Sequence, residues 1–193
     1  MQTLAAPARF EKEIKKSRFV CQAAQVQSEE EAYAFLERVK DPSATHNCWA
    51  FRVGGRYRFS DDGEPAGTAG RPILAAIEGQ GLEGVMVVVT RYFGGIKLGA
   101  GGLVRAYGGV AAECLRRAPK RPLVQLRRAW VRVPYSAQAA FHRLLSAHGG
   151  KKLEERYGEA AEFLVALPEE ALPEFARALA DETRGQATLE PVA

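Results

Sequence analysis

Apolar positions along the chain follow two periods, and each marks a different kind of element. Ala32, Phe35, Leu36 and Val39 recur at i, i+3, i+4 and i+7, the stripe of an amphipathic helix. Ser28 before it and Glu31 three residues later predict a capping box. Residues 46–53 read as a strand, and Gly54-Gly55 as a tight hairpin turn into a second strand over 56–60. Residues 85–93 are nearly all apolar and β-branched, which predicts the most central strand. Leu103, Val104, Tyr107, Val110, Ala111, Cys114 and Leu115 then return to helical spacing. Residues 10–26 are charged with alternating stretches, so an exposed strand pair or edge is expected there. A short helix is expected to start within 68–72, because proline is tolerated in a first turn.

The later part is simpler. Residues 127–135 predict a strand, 136–148 a helix ended by Gly149-Gly150, and 151–157 with 161–167 a strand pair turning at Gly158. Pro173 opens a helix reaching about residue 184, and 187–190 make a last short strand. The order β-α-β-β-α-β is that of the split, ferredoxin-like unit. Between the two parts runs Arg116-Arg117-Ala118-Pro119-Lys120-Arg121-Pro122, whose prolines stop a helix. The expectation is an α+β protein of two domains, residues 1–120 and 127–193.

Composition sharpens this division. Of 19 glycines, 15 lie between Gly54 and Gly109. Residues 1–120 hold 17 basic and 13 acidic side chains and residues 121–193 hold 10 of each, so the whole formal charge of +4 belongs to the first part. Hydrophobic residues make up 47% and charged residues 26%, which excludes a disordered chain. The longest unbroken apolar runs are five residues, as at 85–89 and 163–167, far short of the roughly 20 of a membrane-spanning helix. The first 20 residues are basic without an apolar stretch, so no secretory signal is expected. Cys21, Cys48 and Cys114 are dispersed and odd in number, which supports neither a disulfide framework nor a zinc site and fits a reducing cytoplasm.

Three stretches carry candidate chemistry. Gly94-Gly95-Ile96-Lys97-Leu98-Gly99-Ala100-Gly101-Gly102 joins the central strand to a helix N-terminus, where backbone N–H groups, the helix dipole and Lys97 could seat a phosphate. It has no Gly-Lys-Ser/Thr and is no dinucleotide fingerprint, and the alternative is that its glycines serve the turn and close packing. Asp61, Asp62 and Glu64, with His46 on the preceding strand, offer hard oxygen ligands and a base, as in a metal-dependent hydrolase. The alternative use of that acidic loop is structural, with Asp61 or Asp62 pairing Arg91 at the end of the apolar strand. Arg71, Arg91, Lys97 and Arg105 with Trp49, Tyr92, Phe93 and Tyr107 interleaved suit single-stranded nucleic acid, with Tyr92 or Tyr107 as a stacking face. Such a mixture is also what a solvated surface over a core supplies.

Residues 46–51 (HNCWAF), 60–70 (SDDGEPAGTAG), 89–99 (VTRYFGGIKLG) and 101–108 (GGLVRAYG) together resemble the IMPACT family, over essentially residues 1–120. The chain is similar to the bacterial, YigZ-type members, which add a small C-terminal ferredoxin-like domain. The resemblance implies a first domain shaped like a ribosomal-protein domain and the fourth domain of elongation factor G, and a second like that factor's fifth. Eukaryotic members act in translational control by binding a ribosome-associated activator of a stress kinase. The shared motifs begin close to the start of this sequence, so no counterpart of their RWD domain is expected. No catalytic residues carry over.

The expectation is therefore a cytoplasmic, non-enzymatic, translation-associated protein that binds RNA or a ribosome-associated protein and needs no cofactor, metal or membrane. Its nucleic-acid or anion site would comprise Arg71, Arg91, Tyr92, Gly94, Gly95, Lys97, Gly99, Gly101 and Arg105. The alternatives are a hydrolase built on His46, Asp61, Asp62 and Glu64, or a pure protein-interaction module.

Overall fold

The computed structural model describes residues 1–193, which divide into two compact units, Met1–Leu123 and Val124–Ala193. In the first unit, strands β2 (Ala8–Ile14), β3 (Ser17–Gln25), β4 (His46–Val53), β5 (Arg56–Ser60) and β6 (Val85–Tyr92) form one sheet in the order β2-β3-β6-β4-β5. All its pairings are antiparallel. Helices α2 (Gly70–Gly79) and α3 (Gly99–Arg117) cover one face, and α1 (Glu29–Val39) covers the other.

The continuous apolar run of β6 follows from this double cover. Val85, Val87 and Val89 face the α2/α3 core, while Met86 and Val88 face α1, so alternate residues meet different but equally dry layers. Arg91 has the parity of the first set and therefore enters the α2/α3 layer, while Thr90 turns to the other side. α1 starts as expected: the Glu31 N–H donates to Ser28 Oγ at 3.1 Å. Glu31 reaches back one residue further than a capping box requires, accepting from the Gln27 N–H at 2.8 Å.

Several expectations need correction. Of the strand pair over residues 10–26 only β2 is an edge; β3 lies between β2 and β6 and is largely buried, because its apolar residues are needed on both faces. The glycine stretch is not loop to its end, since α3 starts at Gly99 and takes in Gly101 and Gly102. Val104 is 40% exposed and stands outside the buried stripe of that helix. The basic proline-rich segment is not a free linker. Arg116 and Arg117 close α3, and β7 (Lys120–Pro122) pairs antiparallel with β1 (Gln2–Leu4). Pro119 precedes and Pro122 ends this three-residue strand of a two-stranded sheet, where few donors are needed.

The second unit is a four-stranded antiparallel sheet in the order β11-β8-β10-β9, made by β8 (Leu126–Val133), β9 (Lys151–Tyr157), β10 (Ala161–Pro168) and β11 (Thr188–Pro191). Helices α4 (Gln138–Ala147) and α5 (Leu172–Glu182) pack on one face through Phe141, Leu144, Leu145, Phe175 and Leu179. The β-α-β-β-α-β order read from the sequence is present.

Between β7 and β8 only residues 123–125 are outside secondary structure, and Val124 is 53% exposed. Brief elastase digestion of the native protein is expected to cut first at Val124 and leave both units folded, since exposed connections between compact units are the cleavable ones. First cuts within 94–98 would instead mark the glycine stretch as the weakest backbone.

Candidate functional site

The site forms where the end of β6, the start of β4, the loop after β5 and α3 converge. Glu64 and Arg91 lie there with side chains 4% and 6% exposed. Arg91 Nη1 donates to Glu64 Oε2 at 2.8 Å and Oε1 at 3.1 Å, and Nε donates to Ser17 Oγ at 3.2 Å. The Tyr107 hydroxyl donates to Glu64 Oε2 at 2.5 Å, and His46 Nε2 lies 3.3 Å from Oε1. The carboxylate is thus surrounded by donors, which is what a buried charge requires. His46 Nδ1 sits 2.7 Å from the Asp62 carbonyl oxygen, so both ring nitrogens face oxygen. Gly63, at φ +86°, leaves room for that ring: a Cβ there would stand 3.3 Å from Nδ1.

The pairing expected between Arg91 and Asp61 or Asp62 is therefore wrong; Glu64 takes that place. Asp61 instead accepts backbone N–H bonds from Gly67, Ala69 and Gly70 at 3.0, 3.1 and 2.8 Å, serving the N-terminus of α2 across the loop. Asp62 accepts from the Asn47 N–H at 2.6 Å. The three carboxylates turn to three different sets of donors, and no group of three or more His, Cys, Asp or Glu side chains converges as a metal ion would need. The acidic loop is held by hydrogen bonds rather than arranged as a ligand cage.

Burial raises the Asp61 carboxyl's affinity for a proton, but the bonds from Gly70, Gly67 and Ala69 outweigh it, and its pKa lies below the usual value. Its stabilising contribution is therefore present above the unfolded pKa of about 3.9 and is lost as pH falls through the lower folded value. Asp61→Asn is expected to cost about 1 kcal/mol at neutral pH, the scale of a lost helix cap. Urea melts at a series of pH values should show the gap between the two proteins closing below about pH 4. A gap independent of pH would mean that the charge plays no part.

Burial also pushes the Cys48 thiol up to about 12, against the opposing hydrogen bond from Tyr107, and raises the Tyr107 hydroxyl. Cys48 Sγ is 3.0 Å from the Asp61 carbonyl oxygen, so this thiol packs and donates and is no nucleophile.

Beside this network lies a cleft of about 430 Å³, lined by Thr45, His46, Glu64, Pro65, Arg91, Phe93, Lys97 and the first turn of α3. Leu98, the residue before α3, separates it from a smaller hollow lined by Lys15 and Arg105. Of the anion-site residues expected from the sequence, Arg91, Lys97 and Gly99 line the cleft, and Arg105 lines the hollow. Gly101 faces Arg105, Gly95 takes φ +91° at the turn, and Gly94 packs against the Lys16 carbonyl. Arg71 is elsewhere, 5.1 Å from the ring centroid of Phe59 on β5. Tyr92 and Tyr107 are not stacking faces. Tyr92 bonds Asp41 and is covered by the Arg18 guanidinium, and Tyr107 is fully buried. The exposed aromatic is Phe93, 47% accessible.

Ser17 and Glu64 as partners of Arg91, Tyr107 as a donor to Glu64, and Phe93 as the cleft aromatic were not legible individually. The parity of Arg91 with Val85, Val87 and Val89 was the one signal that could have placed its partners on the α2/α3 side.

The Impact N-terminal domain family matches residues 15–115, and a domain of unknown function, DUF1949, matches residues 131–186. An "IMPACT family member in pol 5'region" of Thermus thermophilus is 53% identical over 179 residues, covering 92% of this chain and 99% of that one. The "IMPACT family member YigZ" of Escherichia coli is 41% identical over 192 residues, covering 96% and 94%. A crystal structure described as that of a hypothetical protein superposes with a TM-score of 0.80 at 39% identity, over 100% of this chain and 97% of that one.

Proposed function

Because this chain belongs to the IMPACT family, we propose that it is a non-catalytic, translation-associated regulator whose first unit binds single-stranded RNA or a ribosomal surface. The observation that supports this reading best is the ring of free cations around the start of α3. Lys15, Lys16, Lys97 and Arg105 have no carboxylate partner, and they come together here. The other unpaired cations of the unit, Lys12, Arg38, Arg71, Lys120 and Arg121, lie outside this group, and Arg52, Arg56, Arg58, Arg116 and Arg117 are paired. α3 carries no side-chain cap, so the N–H groups of its first turn are free to meet an anion. Met1–Leu123 holds 18 basic against 13 acidic residues and the second unit 9 against 10, so a polyanion prefers the first.

We read the second unit as ferredoxin-like from its β-α-β-β-α-β order and β11-β8-β10-β9 sheet. The likeness to elongation factor G domains that the family resemblance implies for both units is fold analogy in support of a ribosomal setting.

Four free cations imply about four neutralised phosphates, so log K should fall against log salt with a slope near −3. Lys97→Ala should flatten that slope by roughly 0.7 with little change in thermal stability, since an exposed lysine carries little folding energy. Filter binding of a single-stranded RNA from about 50 mM salt upward measures both. A folded protein that retains no RNA at the lowest salt rejects this reading and favours a protein-interaction module.

A further inference from the structure

The cleft beside α3 has one unspent donor that the ring of surface cations does not explain. Arg91 uses Nε on Ser17 and Nη1 on Glu64, and Nη2 has no protein acceptor. Its side chain is 94% buried, lying against Phe19 and Phe93 with the guanidinium carbon 5.7 and 5.3 Å from their ring centroids. No polar side-chain atom in the protein is both sealed from solvent and unbonded, so Nη2 opens onto the cleft that Arg91 lines. Burying a guanidinium and leaving one edge of it facing a cavity suits recognition of a planar or tetrahedral oxyanion. Glu64 below it does not repel such a group as a free charge, because Arg91, Tyr107 and His46 already surround its oxygens.

The other lining groups add to that donor. Gly99 and Ala100 bring the uncapped first turn of α3 to the cleft wall, which Lys97 also lines. Phe93 adds an accessible ring, with Pro65 and Leu103 as further apolar lining. Donors and an accessible aromatic face on one cleft describe a ligand with an anionic head and a flat body. The volume of about 430 Å³ falls in the range of small-molecule sites, roughly 300–1,000 Å³. Arg91 Nη2, the free N–H groups of the first turn of α3 and Lys97 are separate donors on this one cleft. A phosphate monoester offers them three terminal oxygens and a second negative charge, where a diester within a strand offers two oxygens and one charge, so the donor set favours a terminal phosphate.

We propose that this cleft binds a phosphate monoester carried on a planar ring system, the chemistry shared by a free nucleoside 5′-monophosphate and the 5′-phosphorylated end of an RNA. The second source rests on the RNA-binding reading above; the first does not.

The test uses the full chain, with adenosine 5′-monophosphate, adenosine and a pair of oligouridylate 12-mers bearing a 5′-phosphate or a 5′-hydroxyl. Binding is followed by calorimetry and by amide NMR shifts at Gly99 and Ala100. The monophosphate should bind at least about tenfold tighter than adenosine, a difference that charge-assisted bonds to a phosphate readily supply. It should shift both amides, and Lys97→Ala and Phe93→Ala, two exposed substitutions, should each weaken it severalfold without unfolding the protein. A matching preference for the 5′-phosphorylated 12-mer assigns the RNA end as a ligand. If the monophosphate binds and neither 12-mer does, the cleft stands and the RNA reading fails. If both 12-mers bind equally and the monophosphate does not, the RNA reading stands and the cleft proposal fails. Monophosphate binding that leaves the two amides unmoved, or that survives both substitutions, also overturns it.

Discussion

Glu64→Gln is expected to lower the stability of the first unit by about 3–5 kcal/mol, the cost of removing one partner from a buried ion pair. The substitution keeps the shape of the side chain, removes its charge and turns one acceptor oxygen into an NH2 donor. Arg91 would then remain 5% exposed with an amide in place of its counter-ion, and the Tyr107 hydroxyl and His46 Nε2 would compete for a single carbonyl oxygen. Domain stabilities are usually about 5–15 kcal/mol, so the variant should melt far earlier in urea. Arg91→Met alone strands the carboxylate and should cost a similar amount. The double variant should lose clearly less than the two single losses together, since the second change removes the charge that the first left unpaired. Additive losses, or a cost for Glu64→Gln under about 1 kcal/mol, would mean that the pair is solvated in solution.

Gly94→Ala should be nearly as damaging, for a steric reason. A Cβ at residue 94 would stand 1.8 Å from the Lys16 carbonyl oxygen and 2.2 Å from its carbon. Those are backbone atoms of the two-residue turn between Ile14 and Ser17, in which Lys15 and Lys16 already sit at φ +47° and +64°. Non-glycine residues in that region are strained, so the turn has little freedom to retreat. Expected destabilisation is about 3 kcal/mol, the upper end of ordinary overpacking. Gly109 is the control. It lies within α3 on an exposed position, and a Cβ there meets nothing within 4 Å. Gly109→Ala should therefore stabilise by up to about 1 kcal/mol through helix propensity. Thermal melts of the two variants beside the parent read both effects, and similar shifts for both would contradict the close approach at residue 94.

These two glycines mark what a one-dimensional reading can and cannot resolve. Both lie in the same glycine-rich stretch of sequence, yet one is held by a turn 78 positions earlier in the chain and the other by nothing. The acidic loop makes the same point. Asp61, Asp62 and Glu64 are equivalent as residue types, and only the curl of the loop sends Asp61 to the N–H groups of α2 and leaves Glu64 to meet Arg91.

The sequence by itself determined the element order apart from β1 and β7, the central place of β6 and the twofold division of the chain, because each depends on a local pattern, whereas the short β1/β7 pair joins the two ends of the first unit. A run such as 85–89 is apolar on both parities only if both faces of the strand are covered, and helical spacing at 103–115 needs only one layer to pack on. Tertiary structure alone decided the ion pair, the aromatic of the cleft and the start of α3. Ser17, His46, Glu64, Arg91 and Tyr107 come from five separate segments, and which of them meet depends on how three layers stack. Hydrophobic periodicity reports which face of an element is dry. It carries no information about which polar group from elsewhere in the chain will satisfy a charge buried there, because that choice is made by distance and hydrogen-bond geometry after the layers have closed.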